Sequence, residues 1–400
     1  MFTYNSLCVV LNITNWVVAL DTTMTTKTKQ VVADEILRKS VELKYKNQLE
    51  YLHSIDDGDK PYEWYLSPKM LMKFVIGASN SDNFDIDIDQ KFYGDKRLVE
   101  RAIVTLASDR GLLLIGEPGT GKSWLAELLA AGICQNSTYV VQGTSATTEE
   151  QIKYSWNIAA VIAKGQSRET IIPSPIFTAM EQGKIGRMEE LTRCTSDVQD
   201  SLISIMSEKY ISIPELDEEN VVYAKNGFNI IATANSRDKG VNEISSALKR
   251  RFNFVTIPIV NDPKIEREIV EFRVSDLIEK KGLDNKVPKN ILEIILETFA
   301  DLREANNSLN DESAKLESAL STAEQISILE EAILQARFFH GTARVTALAQ
   351  SLIGSLARRL PEDLTMLNNF WHSAIKQKSS KTKSWKRFYA DGQAAMKMFR

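Results

Sequence analysis

The chain has 400 residues, with 49 Lys and Arg against 53 Asp and Glu, and its net charge of −4 argues against a dedicated nucleic-acid binder. A composition of 43% hydrophobic and 26% charged residues is that of a globular protein, and the length predicts two or three domains. Three cysteines (Cys8, Cys134, Cys194) and three histidines, all far apart, exclude a disulfide framework, argue against a zinc site and lead us to expect a reduced, cytoplasmic setting.

In chain order, residues 7–10 and 16–20 are apolar, but Asn12, Thr14 and Asn15 separate them and no Lys or Arg precedes them. The pattern of an export signal is therefore poor, and the run is too short to span a bilayer. Residues 1–23 are expected to be an extension without a structural role, with no membrane partner. Residues 24–90 read as an N-terminal helical region ending in a linker: Pro61 breaks the pattern, Ser67-Pro68 has the form of a helix start, and 77–90 is rich in Asn, Ser and Asp. A helix is predicted over 91–108, with Leu98, Ala102, Ile103 and Leu106 on one face.

Short apolar runs at 111–115, 138–142, 185–189, 228–233 and 254–259 then alternate with helical patterns. This predicts an α/β core over 91–260, with a parallel five-stranded sheet between helices and ligands beyond the carboxyl ends of the strands. After Pro263 the spacing is helical at 265–281, 290–306, 323–339 and 343–360, which predicts a helical second domain over 261–360. Residues 361–400 form the last unit. From 373 on it carries Lys376, Lys378, Lys381, Lys383, Lys386, Arg387, Lys397 and Arg400 against Asp391 alone. Such a run is either a solvated tail or a patch for acidic protein or nucleic acid, with Trp385, Phe388 and Tyr389 interleaved for base stacking.

Between the first strand and its helix stand Gly116, Glu117, Pro118, Gly119, Thr120, Gly121, Lys122 and Ser123, followed by Trp124. They fit G-x-x-x-x-G-K-[ST] in the strand–loop–helix context that the motif needs. Glycines let successive N–H groups turn toward phosphate oxygens, and the helix adds its positive end. Lys122 reaches the β- and γ-phosphates, and Ser123 offers a hydroxyl to Mg²⁺. The pattern implies binding of a nucleoside triphosphate. Hydrolysis also needs carboxylates at the end of a neighbouring strand. Glu189 and Glu190 follow a poorly apolar run, with Glu189 placed for the metal through water and Glu190 for the attacking water; a solvated acidic pair is the other reading of the same residues. Asn235, after the run 228–233, is placed to bond the attacking water or to form a turn. Arg250 and Arg251 precede the last strand, either as solvated residues at a helix end or as cations offered to a neighbouring subunit's γ-phosphate.

The series GEPGTGKS, MEELTR, ATANSRDKG and LKRRFN resembles the AAA+ superfamily, and in particular its MoxR-like branch. Residues 143–151 and 173–180 resemble that branch's insert in helix 2, residues 197–209 the helix after the acidic strand, and residues 210–223 its pre-sensor 1 hairpin. The resemblance covers 91–260 well and 261–360, as a helical lid, more loosely. It implies an AAA+ P-loop core followed by that lid, ATP and Mg²⁺ as cofactors, sensor 1 at Asn235, and an arginine finger at Arg251 with Arg250 as alternate. Gly341-Thr342-Ala343-Arg344 resembles the sensor 2 segment, which implies that Arg344 touches the γ-phosphate in cis. The family's metal-side Asp is Glu189 here, a departure that bears on metal strength and hydrolysis rate. A finger in trans implies a homo-oligomer, hexameric by resemblance, in which hydrolysis remodels or helps to assemble protein clients. Partners with a von Willebrand factor A domain are common for the branch. A nucleic-acid-directed motor and a slow nucleotide-switched scaffold are the alternative functions.

Overall fold

The computed structural model describes residues 37–78, 84–217, 220–235, 242–260, 262–281, 287–309, 315–316, 320–340, 344–358 and 361–398. The expectation for residues 1–23 lies outside them.

The sheet forms where the apolar runs stand. Strands β1 (Gly111–Gly116), β2 (Val140–Gln142), β5 (Ile185–Glu189), β8 (Asn229–Asn235) and β9 (Phe252–Thr256) pair in the order β2-β5-β8-β1-β9, all parallel. Every residue of β5 and β8 is buried, as strands covered on both faces require. Register then fixes the functional edge. Gly116 pairs with Asn235, Gln142 with Glu189, and Met188 with Ala232, so the carboxyl ends of four strands share one side. Helix α5 (Lys122–Cys134) follows β1 directly and is almost wholly buried.

Between β2 and β5 lie an antiparallel pair, β3 (Tyr154–Trp156) and β4 (Ile171–Pro173), and a short apolar helix α6 (Ile158–Lys164) with no buried residue. The expected hairpin is β6 (Tyr210–Ser212) with β7 (Val221–Tyr223), following helix α8 (Ser196–Glu208). The Tyr154 hydroxyl donates to Glu215 at 2.8 Å, which joins the β3–β4 insert to this hairpin.

The N-terminal region docks on the core. Helices α1 (Val41–Lys44), α2 (Lys46–Ser54) and α3 (Pro68–Ile76) bury Val41, Leu49, Leu52, Leu71 and Phe74 in one cluster with Leu125, Leu128 and Leu129 of α5. The helix predicted from 91 begins at Lys96 as α4 (Lys96–Leu106), because the Asp95 side chain accepts the Arg97 N–H and caps it there. Residues 91–95 stay extended and run along the nucleotide-side cleft.

The elements described in the C-terminal region are helices: α10 (Pro263–Lys280), α11 (Lys289–Ser308), α12 (Thr322–Gln335), α13 (Val345–Leu356), α14 (Glu362–Phe370) and α15 (Lys383–Met398). Its last two helices correct the expectation of a separate basic tail over 361–400. Trp371, Trp385 and Phe388 are buried with Ile295, Phe299 and Leu352 in a single core. The lysines sit on the other faces, where Lys378 meets Glu297 and Asp301 at 2.9 and 2.7 Å. Helical periodicity separates the two sets: Trp385, Phe388, Gly392, Ala395 and Met396 share one face of α15. Gly392 leaves room for the Trp371 ring, which a Cβ there would meet within van der Waals distance.

Candidate nucleotide site

A cleft of about 700 Å³ opens above the carboxyl ends of the strands, between the sheet and the start of the helical region. Its floor is the loop 118–123. Gly119 and Gly121 have φ of 77° and 89°, a region that costs an L-residue roughly 1–2 kcal/mol, so the glycines permit the tight turn. Lys122, 6% exposed, donates to the carbonyls of Gly116 and Glu117 at 3.0 and 2.9 Å. Thr120 Oγ1 closes the loop onto the Glu117 carbonyl at 2.9 Å. Trp124 Nε1 donates to the Lys91 carbonyl at 2.8 Å, which ties the strap 91–95 to α5 and forms one wall with Phe92 and Tyr93.

The acidic pair ends β5 as predicted. Glu189 is buried, and its Oε2 accepts from Ser123 Oγ at 2.6 Å and from Thr233 Oγ1 at 2.7 Å. The two side chains expected to face a metal are therefore in contact. Glu190 turns the chain through φ 55°, which swings its carboxylate away from Glu189 and into the cleft. Its N–H donates to Thr233 Oγ1 at 3.1 Å, and its Oε2 accepts from Asn235 Nδ2 at 2.8 Å. Arg193 lies 3.4 Å from the same oxygen. Ser123, Glu189, Glu190, Thr233 and Asn235 thus form one connected set on α5, β5 with the turn after it, and β8. Two hard oxygens, Ser123 Oγ and Glu189 Oε2, side by side next to a phosphate loop suit Mg²⁺ carried by a triphosphate. No cluster of three or more His, Cys, Asp or Glu able to hold a metal alone is present among the described residues.

The helical region enters the cleft through one side of α10, with Ile265, Ile269, Phe272 and Arg273, and through the start of α12. Ser321, Thr322 and Ala323 line it, and a Cβ added to Gly119 would collide with Ser321 Oγ. This contact is braced by buried Glu266 of α10, which accepts from Arg303 of α11, from Gln325 at 2.8 Å and from Thr322 at 3.2 Å.

The predicted arginines stand apart from this set. Arg251 Nε donates to Ser207 at 2.8 Å and its Nη1 to the Ala247 carbonyl at 3.0 Å. Arg250 is exposed beside it, and its backbone N–H donates to the Ser246 carbonyl at 3.3 Å. Neither borders the cleft of its own chain. Arg344 is exposed at the N-cap of α13 and is not among the cleft's lining residues; 341–343 of the same segment lie outside the described residues. Sequence reasoning missed Thr233, Arg187 and the Ser321–Ala323 contact. Thr233 was accessible in principle, since it lies two residues before Asn235 on the same face of a strand.

Residues 111–252 match the family described as the AAA domain (dynein-related subfamily), and residues 264–395 match the YehL-like AAA+ ATPase C-terminal domain. The protein YehL of Escherichia coli (strain K12) is 38% identical over 347 residues, covering 86% of this chain and 94% of that one. YojN of Bacillus subtilis (strain 168) is 23% identical over 231 residues, covering 58% and 71%. Among solved structures, NtrX from Brucella abortus in complex with ATP aligns with a TM-score of 0.48 at 13% identity, over 95% of this chain and 68% of that chain.

Proposed function

Because this chain belongs to the family of YehL-like AAA+ ATPases, we propose that it binds ATP with Mg²⁺ and hydrolyses it where two copies of the chain meet. The observation that carries the reading is the connected set around the cleft: Ser123 and Thr233 on Glu189, Asn235 on Glu190, with Lys122 in the loop beneath. The loop 116–123 cradles the phosphates, and Lys122 moves from its two carbonyls to the β- and γ-phosphates. Ser123 and, through water, Glu189 would hold Mg²⁺, which neutralises charge on the β- and γ-oxygens. Glu190 polarises the attacking water, with Asn235 fixing its carboxylate. Trp124 and the strap 91–95 close the cleft beside the nucleotide.

Arg251, with Arg250 as alternate, serves the neighbouring copy. Both lie away from their own cleft, which supports a finger acting in trans, and a head-to-tail contact of this kind closes into a ring, here taken as a hexamer. Arg344 acts in cis once the helical region shifts. The insert β3–α6–β4 and the hairpin β6–β7 support membership of the MoxR-like branch. On that reading the output is chaperone-like remodelling or assembly of protein clients, among them proteins with a von Willebrand factor A domain. The domains we propose are the N-terminal region 24–90, the core 91–260 and a helical lid from 261 that takes in α14 and α15. No helix among the described residues is long and apolar enough to cross a membrane, and the buried thiols of Cys134 and Cys194 suit a reduced cytoplasm. Burial of Trp385 and Phe388, with Tyr389 alone left half-buried, counts against the base-stacking surface that favoured a nucleic-acid motor.

The test is ATP turnover by the full chain and by Lys122→Ala. Turnover in the parent and its loss in the variant, by about a hundredfold or more, is the expected outcome; equal turnover by both proteins removes the assignment.

A further inference from the structure

Behind Glu189 stands a cation that the nucleotide motif does not call for. Arg187 lies two residues earlier on β5, so the period of a strand puts both side chains on the same face. The strand lies inside the sheet between β2 and β8, and the side chains of Arg187 and Glu189 are 5% and 8% exposed. One guanidinium nitrogen, Nη2, is 2.5 Å from Glu189 Oε1, and the other, Nη1, donates to the Ser137 carbonyl at 2.7 Å. The same Nη2 is 3.6 Å from Glu127 Oε1, one turn along α5 from Ser123. Arg38 approaches that Glu127 oxygen from the surface at 2.7 Å.

A buried arginine held this way does two things. It takes one carboxylate oxygen and leaves the other for Ser123, a division that the extra methylene of Glu over Asp makes possible. It also cancels the charge that would draw in a divalent cation: two acids are matched by two arginines, so a metal meets little net negative charge until phosphates bring more. We propose that Arg187 is a positioning residue that holds Glu189 Oε1, aims Oε2 at Ser123, and keeps divalent-cation affinity low until nucleotide arrives. When Glu189 turns to the metal, Glu127 is already within reach of the guanidinium, so the buried cation is not stranded. The inference rests on the metal role given to Glu189 above.

The experiment is Mn²⁺ binding to the nucleotide-free full chain, followed by electron paramagnetic resonance, with ATP turnover measured in parallel. Arg187→Met is expected to bind Mn²⁺ about tenfold more tightly or better, since a unit positive charge is removed within a few ångströms, while turnover falls. Arg187→Lys restores weak Mn²⁺ binding and part of the turnover. Opposite movement of the two readouts is the signature, because a purely structural lesion weakens both and is not rescued by lysine. Should Arg187→Met fail to fold, Glu127→Gln carries the test: it leaves Arg187 to Glu189 alone and lowers Mn²⁺ affinity severalfold. Mn²⁺ binding unchanged in every folded variant, or weakened in Arg187→Met, overturns the proposal. Absence of turnover in the parent contradicts the proposed function instead, and the Mn²⁺ result is still read.

Discussion

The α/β core and the C-terminal helical region use buried polar groups in opposite ways. In the core, they collect at one end of the sheet, where Ser123, Glu189, Glu190, Thr233 and Asn235 bond one another across three elements. In the helical region the interior is aliphatic and aromatic, built on Phe299, Trp371, Trp385 and Phe388, and its buried carboxylate Glu266 braces three helices. The core is thus arranged for chemistry and the helical region for packing; among the described residues the helical region meets the rest of the chain at Ser321–Ala323 in the cleft, at Arg273 over the Trp124 ring and at Asp276 on Lys44. Loss of a polar group in the first should cost rate, and loss of an aromatic in the second should cost stability.

The largest effect that sharpens this contrast is expected from Glu190→Gln. The amide keeps the shape and the Asn235 contact but cannot polarise water, so turnover should fall about a hundredfold or more while ATP affinity and melting temperature hold. A fall in melting temperature with intact turnover would break the division of labour. Affinity capture with the same variant in the presence of ATP tests the proposed protein clients, and recovery of no protein beyond what the parent retains would count against them. Next comes Trp385→Ala. Removing a 5%-exposed indole should destabilise the protein by about 3–5 kcal/mol, measured by denaturant unfolding, without changing ATP affinity per folded molecule. A solvated tail would show no loss.

The smallest effect concerns the strap beside the cleft. Burial between Tyr45 and Phe74 pushes the Lys91 ammonium down to about 7 from 10.5, although it donates to the carbonyls of Phe74 and Asp89. The unfolded chain therefore binds more protons than the folded one between about 7 and 10.5, so this group's contribution to stability rises with pH across that window and is lost as pH falls to 7. The melting temperature of the parent relative to Lys91→Met should climb from pH 7 to pH 9; a flat difference would contradict the burial argument.

How much was legible in the sequence follows from how local each signal is. The loop 116–123, the pair Glu189-Glu190 and Asn235 are short motifs next to apolar runs, and all end at the same edge of the sheet. Arg187 and Thr233 were missed because their meaning lies in partners on other strands or far along the chain: Thr233 reaches Glu189 across 44 residues of sequence. The last 40 residues misled because charge was counted along the chain instead of around a helix. Asp95 set the start of α4, since a cap outweighs the polar periodicity before it. The docking of 41–76 on α5 left no mark in the sequence beyond amphipathic helices, which fit either a partner or the core.

The central claim is that one ATP is broken by residues of two chains, and mixing subunits tests it most directly. Arg251→Ala should bind ATP and hydrolyse it poorly, Lys122→Ala should not turn it over, and neither alone should be active. Mixed, they create interfaces with an intact cleft on one copy and an intact Arg251 on the next, so ATPase activity should partly return. Activity of the mixture equal to the sum of the two inactive variants, at every ratio, would contradict the account.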